Sequence, residues 1–275
     1  MKTLLFRAAW LSLLCFCLGA HAERLSIPGS GNPEYVLNAL AQAFNARQSQ
    51  HQVLVPSSTG TAGALRELEQ GTATLGRVGR PLKAAERDSG LSYFSLGRDA
   101  VAVAGGAAVT AQGISRAQLY DVYVGKITDW RELGGKPGPI RAIGREATNA
   151  ARQAIEREIK SFATIKFHEN VKVVHLDPQL IELMDRFPTS LGFLNRSGLM
   201  AAHSKLVLLE LDGVAPTAEN LAAGRYPLWM EFGLAFKSGN LTDAGRAFLT
   251  FVESAEGVRI RRAHGLLVAV ADMKR

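Results

Sequence analysis

The segment PSSTGTAGALRELEQGTATLGRVGRPL, residues 56–82, contains the junction that decides the fold. The apolar run at 53–55 predicts a buried strand before it, and a helical pattern at 62–70 follows a loop of small hydroxyl and glycine residues. Backbone N–H groups and hydroxyls at the positive end of a helix suit a small anion. The alternative is an ordinary strand–turn–helix unit in which Ser and Thr only cap the helix.

The same strand, polar loop and helix order occurs twice more. Strand 24–27 leads through Pro-Gly-Ser-Gly-Asn to a helix with Pro33 in its first turn. Strand 140–143 leads through a loop at 144–149 to a helix at 150–161. Loops at the carboxyl ends of strands converge on ligands in α/β sheets, and an arginine fork matches an oxyanion. The candidate ligand-binding residues are Ser30, Asn32, Thr59, Gly60, Thr61, Arg80, Arg145, Thr148 and Asn149.

Arg80 has two open interpretations. Residues 76–80, Gly-Arg-Val-Gly-Arg, bring the guanidinium groups of Arg77 and Arg80 onto a glycine-rich loop. Arg80 is either a solvated surface arginine or an anion contact.

Strands that alternate with helices along the chain indicate an α/β fold. Two separate strands are predicted at 91–96 and 100–106, the second fully apolar. Ser115 and Asp177 are the predicted N-caps of helices at 116–122 and 177–186. Extended runs at about 97–105 and 226–236 suit two crossings between lobes.

The N-terminus predicts an export signal at 1–22. Lys2 and Arg7 precede an apolar stretch at 8–19, and Ala-His-Ala at 20–22 is a cleavage motif, so cleavage is expected near Ala22. The stretch is too short for a comfortable membrane span; an uncleaved anchor is the alternative. Both cysteines, Cys15 and Cys17, lie in this segment, so the expected mature chain has no disulfide. That suits a bacterial periplasm.

Composition and motifs favour a small anionic ligand over other functions. The formal charge is +7, or +5 without the basic residues of the signal. The sequence has no stripe of basic and aromatic residues of the kind that indicates nucleic-acid binding. No nucleophile motif with a base is present, and the histidines lack metal-ligand spacing. We therefore expect no catalytic residue, metal or cofactor. Trp130 and Trp229 are expected in the core.

Several stretches resemble one known family. LYDVYVGKITDWRELGG, residues 119–135, is close to the pattern L-x-x-I-F-x-G-K-I-T-x-W-x-x-x-G-G. Further matches, in family order, lie at 57–82, 99–103, 143–156, 189–197 and 248–265. On these residues the chain resembles the substrate-binding proteins of phosphate ABC transporters, in the type 2 periplasmic-binding-protein superfamily.

The resemblance implies a two-lobed Venus-flytrap fold with mixed sheets flanked by helices and two hinge crossings. Lobe 1 would comprise 23–97 and 237–275, and lobe 2 would comprise 98–236 with the hinge strands. A monomeric, non-enzymatic periplasmic protein would bind inorganic phosphate or a related oxyanion between the lobes. It would deliver the ion to an ABC permease in the inner membrane.

Two departures from the family pattern support an alternative. Where the family carries an Asp that accepts the proton of bound phosphate, this chain has Gly79, followed by Arg80. Where the family carries Ser-Gly-Thr, it has Asn-Ala-Ala at 149–151. These changes predict a more cationic pocket. The alternative is an exported protein of the same fold that acts as a sensor or interaction partner through an altered ligand site.

Overall fold

The computed structural model describes residues 23–202 and 204–268, so the predicted signal segment 1–22 lies outside the described residues. The strands are β1 (Glu23–Ser26), β2 (His51–Leu54), β3 (Gly76–Val78), β4 (Ser92–Gly105), β5 (Gly113–Ile114), β6 (Arg141–Arg145), β7 (Lys172–Val174), β8 (Ser190–Asn195), β9 (Val207–Leu211) and β10 (Trp229–Phe236). The helices are α1 (Glu34–Arg47), α2 (Gly60–Gln70), α3 (Ala84–Asp88), α4 (Arg116–Tyr123), α5 (Ala150–Glu158), α6 (Asp177–Arg186), α7 (Arg196–Ala201), α8 (Ala218–Ala222), α9 (Asp243–Glu253) and α10 (Ala255–Ala263). Across these described ranges, no helix is long and apolar enough to cross a membrane.

Two sheets, flanked by helices, form a mixed α/β fold. A small parallel sheet pairs β1 with β2, and a larger sheet has the strand order β3-β10-β4-β8-β6-β7, with β9 and β5 branching from β4. Strands β6, β7 and β8 run parallel, whereas β10 and β8 are antiparallel to β4. The predicted α/β class with mixed sheets is confirmed.

Strand β4 links the two halves of the large sheet. Its first part, 92–100, pairs with β10, and its second part, 101–105, pairs with β8. The sequence predicted two strands here because Gly97 and the polar residues after it interrupt the apolar pattern. Gly97 has a φ of +128°, and β10 shifts register between Phe232 and Gly233. A β-bulge of this kind bends a strand without ending it.

The helix starts agree with the sequence to within two residues, with corrections: Pro33 is the N-cap of α1 and not part of its first turn, and α2 begins at Gly60. Ser115 caps α4 and accepts a hydrogen bond from the Gln118 amide. Asp177, however, is the first residue of α6 and not its N-cap, because its side chain turns to a buried arginine instead. The sequence analysis missed α7, β5 and β9. The first two are short, whereas β9 has an apolar run, Val-Leu-Leu-Glu-Leu at 207–211, that is a usable strand signal.

The hydrophobic core lies on both faces of the large sheet. Phe44 of α1 packs edge-on against Phe248 and Phe251 of α9. A second aromatic group surrounds Tyr123, whose hydroxyl donates to the carbonyl of Ile143 (2.8 Å). Trp130 is buried as predicted. Trp229 is only partly buried, with the guanidinium groups of Arg98 and Arg157 over its ring system at 4.2 and 4.7 Å.

Asp99 makes stability depend on pH. It is fully buried; burial raises its pKa to about 6, although Oδ2 accepts the Ser197 amide (3.0 Å). The folded state therefore disfavours the carboxylate, and its contribution to stability is lost as pH rises from about 4 through 6. We expect the stability of Asp99→Asn relative to the parent to increase by about 2–3 kcal/mol when the pH rises from 4 to 7.5. Urea denaturation at both pH values tests this, and a pH-independent difference would contradict it.

Candidate anion-binding site

One cavity of about 610 Å³ contains all nine residues that the sequence nominated. Its wall also includes polar and apolar residues that sequence reasoning did not single out, among them Glu34, Tyr35, Lys83, Glu146, Gln153, His175, Leu176, Asp177 and Pro178. The three predicted loops thus meet in space. Whether the nine residues bind a ligand stays a prediction.

Four helix N-termini open onto this cavity. They belong to α1, α2, α5 and α6, whose first residues or caps are all in the wall. Each helix has nine or more residues, so each carries a developed dipole with its positive end at the cavity. Such an arrangement stabilises a bound anion through backbone N–H groups without net charge.

The hydroxyls of Thr59 and Thr61 are not used as caps of α2, whereas Oγ of Ser58 accepts the amide of Gly60, the first residue of that helix (3.3 Å). Thr59 occupies the N-cap position of α2, yet its side chain makes no capping hydrogen bond. The Thr61 hydroxyl instead accepts the amide of Gly79 (3.1 Å). Asn149 differs, because its Oδ1 caps α5 by accepting from the amides of Ala151 and Arg152. Its amide nitrogen remains the group that could face a ligand.

Arg145 lies at the buried side of the cavity and is 1% exposed. It forms an ion pair with Asp177 and donates from Nε to the carbonyl of Val174 (3.2 Å) and from Nη2 to that of His175 (2.9 Å). A guanidinium has five N–H donors, so these three bonds leave two for a ligand. Arg145 is therefore fixed in place before any anion arrives.

Hydrogen bonds cross the cleft beside this ion pair. Asn32, in the loop before α1, donates from Nδ2 to Oδ2 of Asp177 (3.1 Å). Asn195, at the end of β8, donates to the same oxygen (3.2 Å) in the amide orientation that satisfies both its nitrogen and its oxygen. Asp177 thus accepts from three side chains. Sequence reasoning missed this role, since its only signal was an Asp-Pro pair typical of a helix start.

Arg77 holds the first two loops together from behind the cavity. Its guanidinium is fully buried and donates to the carbonyls of Ile27, Ser30 (2.7 Å) and Pro56 (2.6 Å). It also contacts the Glu34 carboxylate at 3.2 Å. Burial lowers the pKa of Arg77, and the Glu34 carboxylate opposes that shift.

The cavity is less cationic than the sequence indicated. Arg80 lines the wall, but Glu86 binds it through two bonds of 2.7 and 2.8 Å, and hydrogen bonds from Arg80 lower the pKa of Glu86 to about 2. The charged side chains of the wall are Arg80, Lys83, Arg145, Glu34, Glu146 and Asp177. Their formal charges cancel, so any anion is held mainly by dipoles and hydrogen bonds.

A side chain at position 79, where the family pattern places a carboxylate, would crowd the first loop. A Cβ at this position would lie 2.8 Å from Oγ of Ser30 and 3.2 Å from Oδ1 of Asn32. An aspartate would therefore require the side chains of Ser30 and Asn32 to move. The carboxylate in this wall that touches the arginine is Asp177, which comes from α6.

A two-lobed α/β fold with a cleft ringed by helix N-termini defines the class of binding proteins that enclose a small solute. Within that class, the chain belongs to the PBP superfamily: a family model described as a PBP superfamily domain matches residues 19–256. The resemblance to this superfamily predicted from the sequence motifs is confirmed.

Individual relatives carry more specific names. The phosphate-binding protein PstS of Bacillus subtilis is 26% identical over 261 residues, which cover 91% of this chain and 82% of that protein. A Clostridium perfringens structure, described as a putative phosphate ABC transporter substrate-binding protein with bound phosphate, is 25% identical with a TM-score of 0.79. The match covers 90% of this chain and 100% of that one. A Vibrio cholerae phosphate transport receptor, at 23% identity, TM-score 0.68 and coverage of 89% and 100%, shares the fold.

Proposed function

We propose that this protein binds phosphate or a related oxyanion in the described cavity and delivers it to an ABC importer. The observation that carries the proposal is the convergence of four helix N-termini on a cavity backed by Arg145. The names of the Bacillus and Clostridium relatives support it. The protein acts by binding alone, and the described residues contain no cluster of metal-ligating side chains.

Binding couples to closure of the two lobes. The ligand contacts come from loops before α1 and α2 on one side and before α5 and α6 on the other, so an anion that touches both sets favours the closed state. β4 and β10 are the two hinge crossings between lobe 1 (23–97 and 237–275) and lobe 2 (98–236). The nine residues nominated from the sequence are the ligand contacts.

The protein functions in the periplasm as a monomer. Its signal segment is removed near Ala22, and the closed, loaded form docks on a permease in the inner membrane. A second candidate, a sensor or interaction protein of the same fold, is favoured by one observation: Asp177 already neutralises the buried arginine of the site. In that case a partner protein, not a transported ion, is the functional target.

Calorimetric titration tests the main proposal. We expect phosphate to give heat and saturable binding. Sulfate, arsenate and molybdate should bind more weakly than phosphate to the extent that their size or protonation state differs from that of phosphate. Thr59→Val removes a wall hydroxyl that is not needed for helix capping, so affinity should fall by about 5–10-fold, as for loss of one hydrogen bond. Thr72→Val, an exposed position outside the cavity, is the matched control and should bind normally.

The two functions give different results. Absence of heat from all four ions would contradict oxyanion binding and favour the sensor. Equal affinity of the Thr59 and Thr72 variants would mean that the anion lies elsewhere.

A further inference from the structure

The cavity is larger than an inorganic oxyanion needs. Phosphate has five heavy atoms, which occupy roughly 150 Å³ if each takes a water's share of about 30 Å³. The cavity measures about 610 Å³, within the range of clefts that hold organic ligands of ordinary size. About three quarters of the space is therefore left after a phosphate group is seated at the helix N-termini.

Wide separation of the lobes does not account for this volume. Asn32 and Asp177, from opposite sides of the cleft, already share a hydrogen bond of 3.1 Å. Gly79 and Ala150 also approach each other, since a Cβ added to Gly79 would lie 3.4 Å from that of Ala150. The hydrogen bond thus already joins the two sides of the cleft, and the cavity volume is present in addition to it.

The remaining wall offers apolar surface. Tyr35 of α1 is partly buried and lines the cavity, and Leu176 and Pro178 line it at the start of α6. Leu176 is 42% exposed, one of few large apolar side chains so exposed among the described residues. An apolar side chain that faces a cavity gains stability when a ligand covers it.

Resting on the proposed oxyanion function, we infer that this site takes a phosphate monoester or a phosphonate. The tetrahedral head binds at the helix N-termini and Arg145, and the organic substituent lies against Tyr35 and Leu176. The dianion of such a ligand has no P–OH group, whereas the dianion of inorganic phosphate has one. It therefore needs no proton acceptor at position 79, where this chain has Gly79 in place of the carboxylate of the family pattern.

The experiment compares phosphate, methylphosphonate and propylphosphonate by calorimetry with the full mature chain. We expect propylphosphonate to bind more tightly than methylphosphonate by about fourfold per methylene that the cavity covers. Leu176→Ser should lower the propylphosphonate-to-phosphate affinity ratio at least threefold. Leu54→Ser is the matched control, since Leu54 is 41% exposed and lies outside the cavity, and its ratio should equal that of the parent.

The outcomes separate this inference from the function on which it rests. Phosphate binding with affinity that falls steadily through methylphosphonate to propylphosphonate would overturn the organic ligand and leave oxyanion binding standing. An equal fall of the propylphosphonate-to-phosphate affinity ratio in the Leu176 and Leu54 variants would overturn the assignment of the substituent site. Absence of binding by all three probes would overturn the organic ligand, and the oxyanion function would fall with it if sulfate, arsenate and molybdate also gave no heat.

Discussion

Arg145→Met is expected to lower the free energy of unfolding by about 3–5 kcal/mol and to remove phosphate binding. The substitution leaves Asp177, 4% exposed, as a buried charge without its cationic partner. It also removes the two guanidinium N–H groups that remain for a ligand. Urea denaturation measures the first effect, and calorimetric titration with phosphate measures the second.

A double variant separates stability from binding. In Arg145→Met with Asp177→Asn, both charges are gone, and the amide oxygen introduced at position 177 can still accept from Asn32. Since replacement of a whole buried ion pair is often neutral, most of the lost stability should return while phosphate binding stays absent. Arg246→Met is the control for an exposed ion pair, with Asp243, and should cost no more than about 1 kcal/mol. A single variant as stable as the parent with normal phosphate affinity would contradict both roles of Arg145.

Four helix starts line the cavity, and local sequence signals predicted three of them as ligand-binding loops. Glycine and hydroxyl residues between an apolar strand and a periodic helix are short-range features, so the starts of α1, α2 and α5 could be read directly. The fourth, at Leu176 and Asp177, was predicted only as a capped helix. Its partner Arg145 is distant in the chain, and one sequence contains no information on which buried charges pair.

The β4 strand illustrates a second limit. Local composition divides it at Gly97, but its pairing with β10 continues past that residue. Strand continuity depends on the neighbouring strand, and thus on tertiary contacts that local propensity does not contain. The size of the cavity is also a tertiary property, since Tyr35 and Leu176 reach it from different parts of the chain.

Arg77→Leu is expected to cost at least about 3 kcal/mol of unfolding free energy, because the buried carbonyls of Ile27 and Ser30 lose their donor at about 1–3 kcal/mol each and the more exposed carbonyl of Pro56 loses one as well. Two of the predicted ligand loops depend on these bonds. Phosphate affinity should therefore also fall tenfold or more, about 1.4 kcal/mol, although Arg77 is not in the cavity wall. Urea denaturation and calorimetric titration measure the two effects.

Arg80→Leu, three residues away, is the matched control for the stability measurement. Both arginines lie in the same glycine-rich segment and look equivalent in sequence, but Arg80 is partly exposed and its partner is the Glu86 carboxylate. Loss of this surface pair should cost no more than about 1 kcal/mol. If the two variants were equally stable, the carbonyl contacts of Arg77 would contribute nothing, and the positions of the first two loops would have to depend on their helices alone. A large loss of unfolding free energy in the Arg77 variant only would show that Arg77, which is outside the cavity wall, fixes the two loops. The wall residues would then remain available to the ligand.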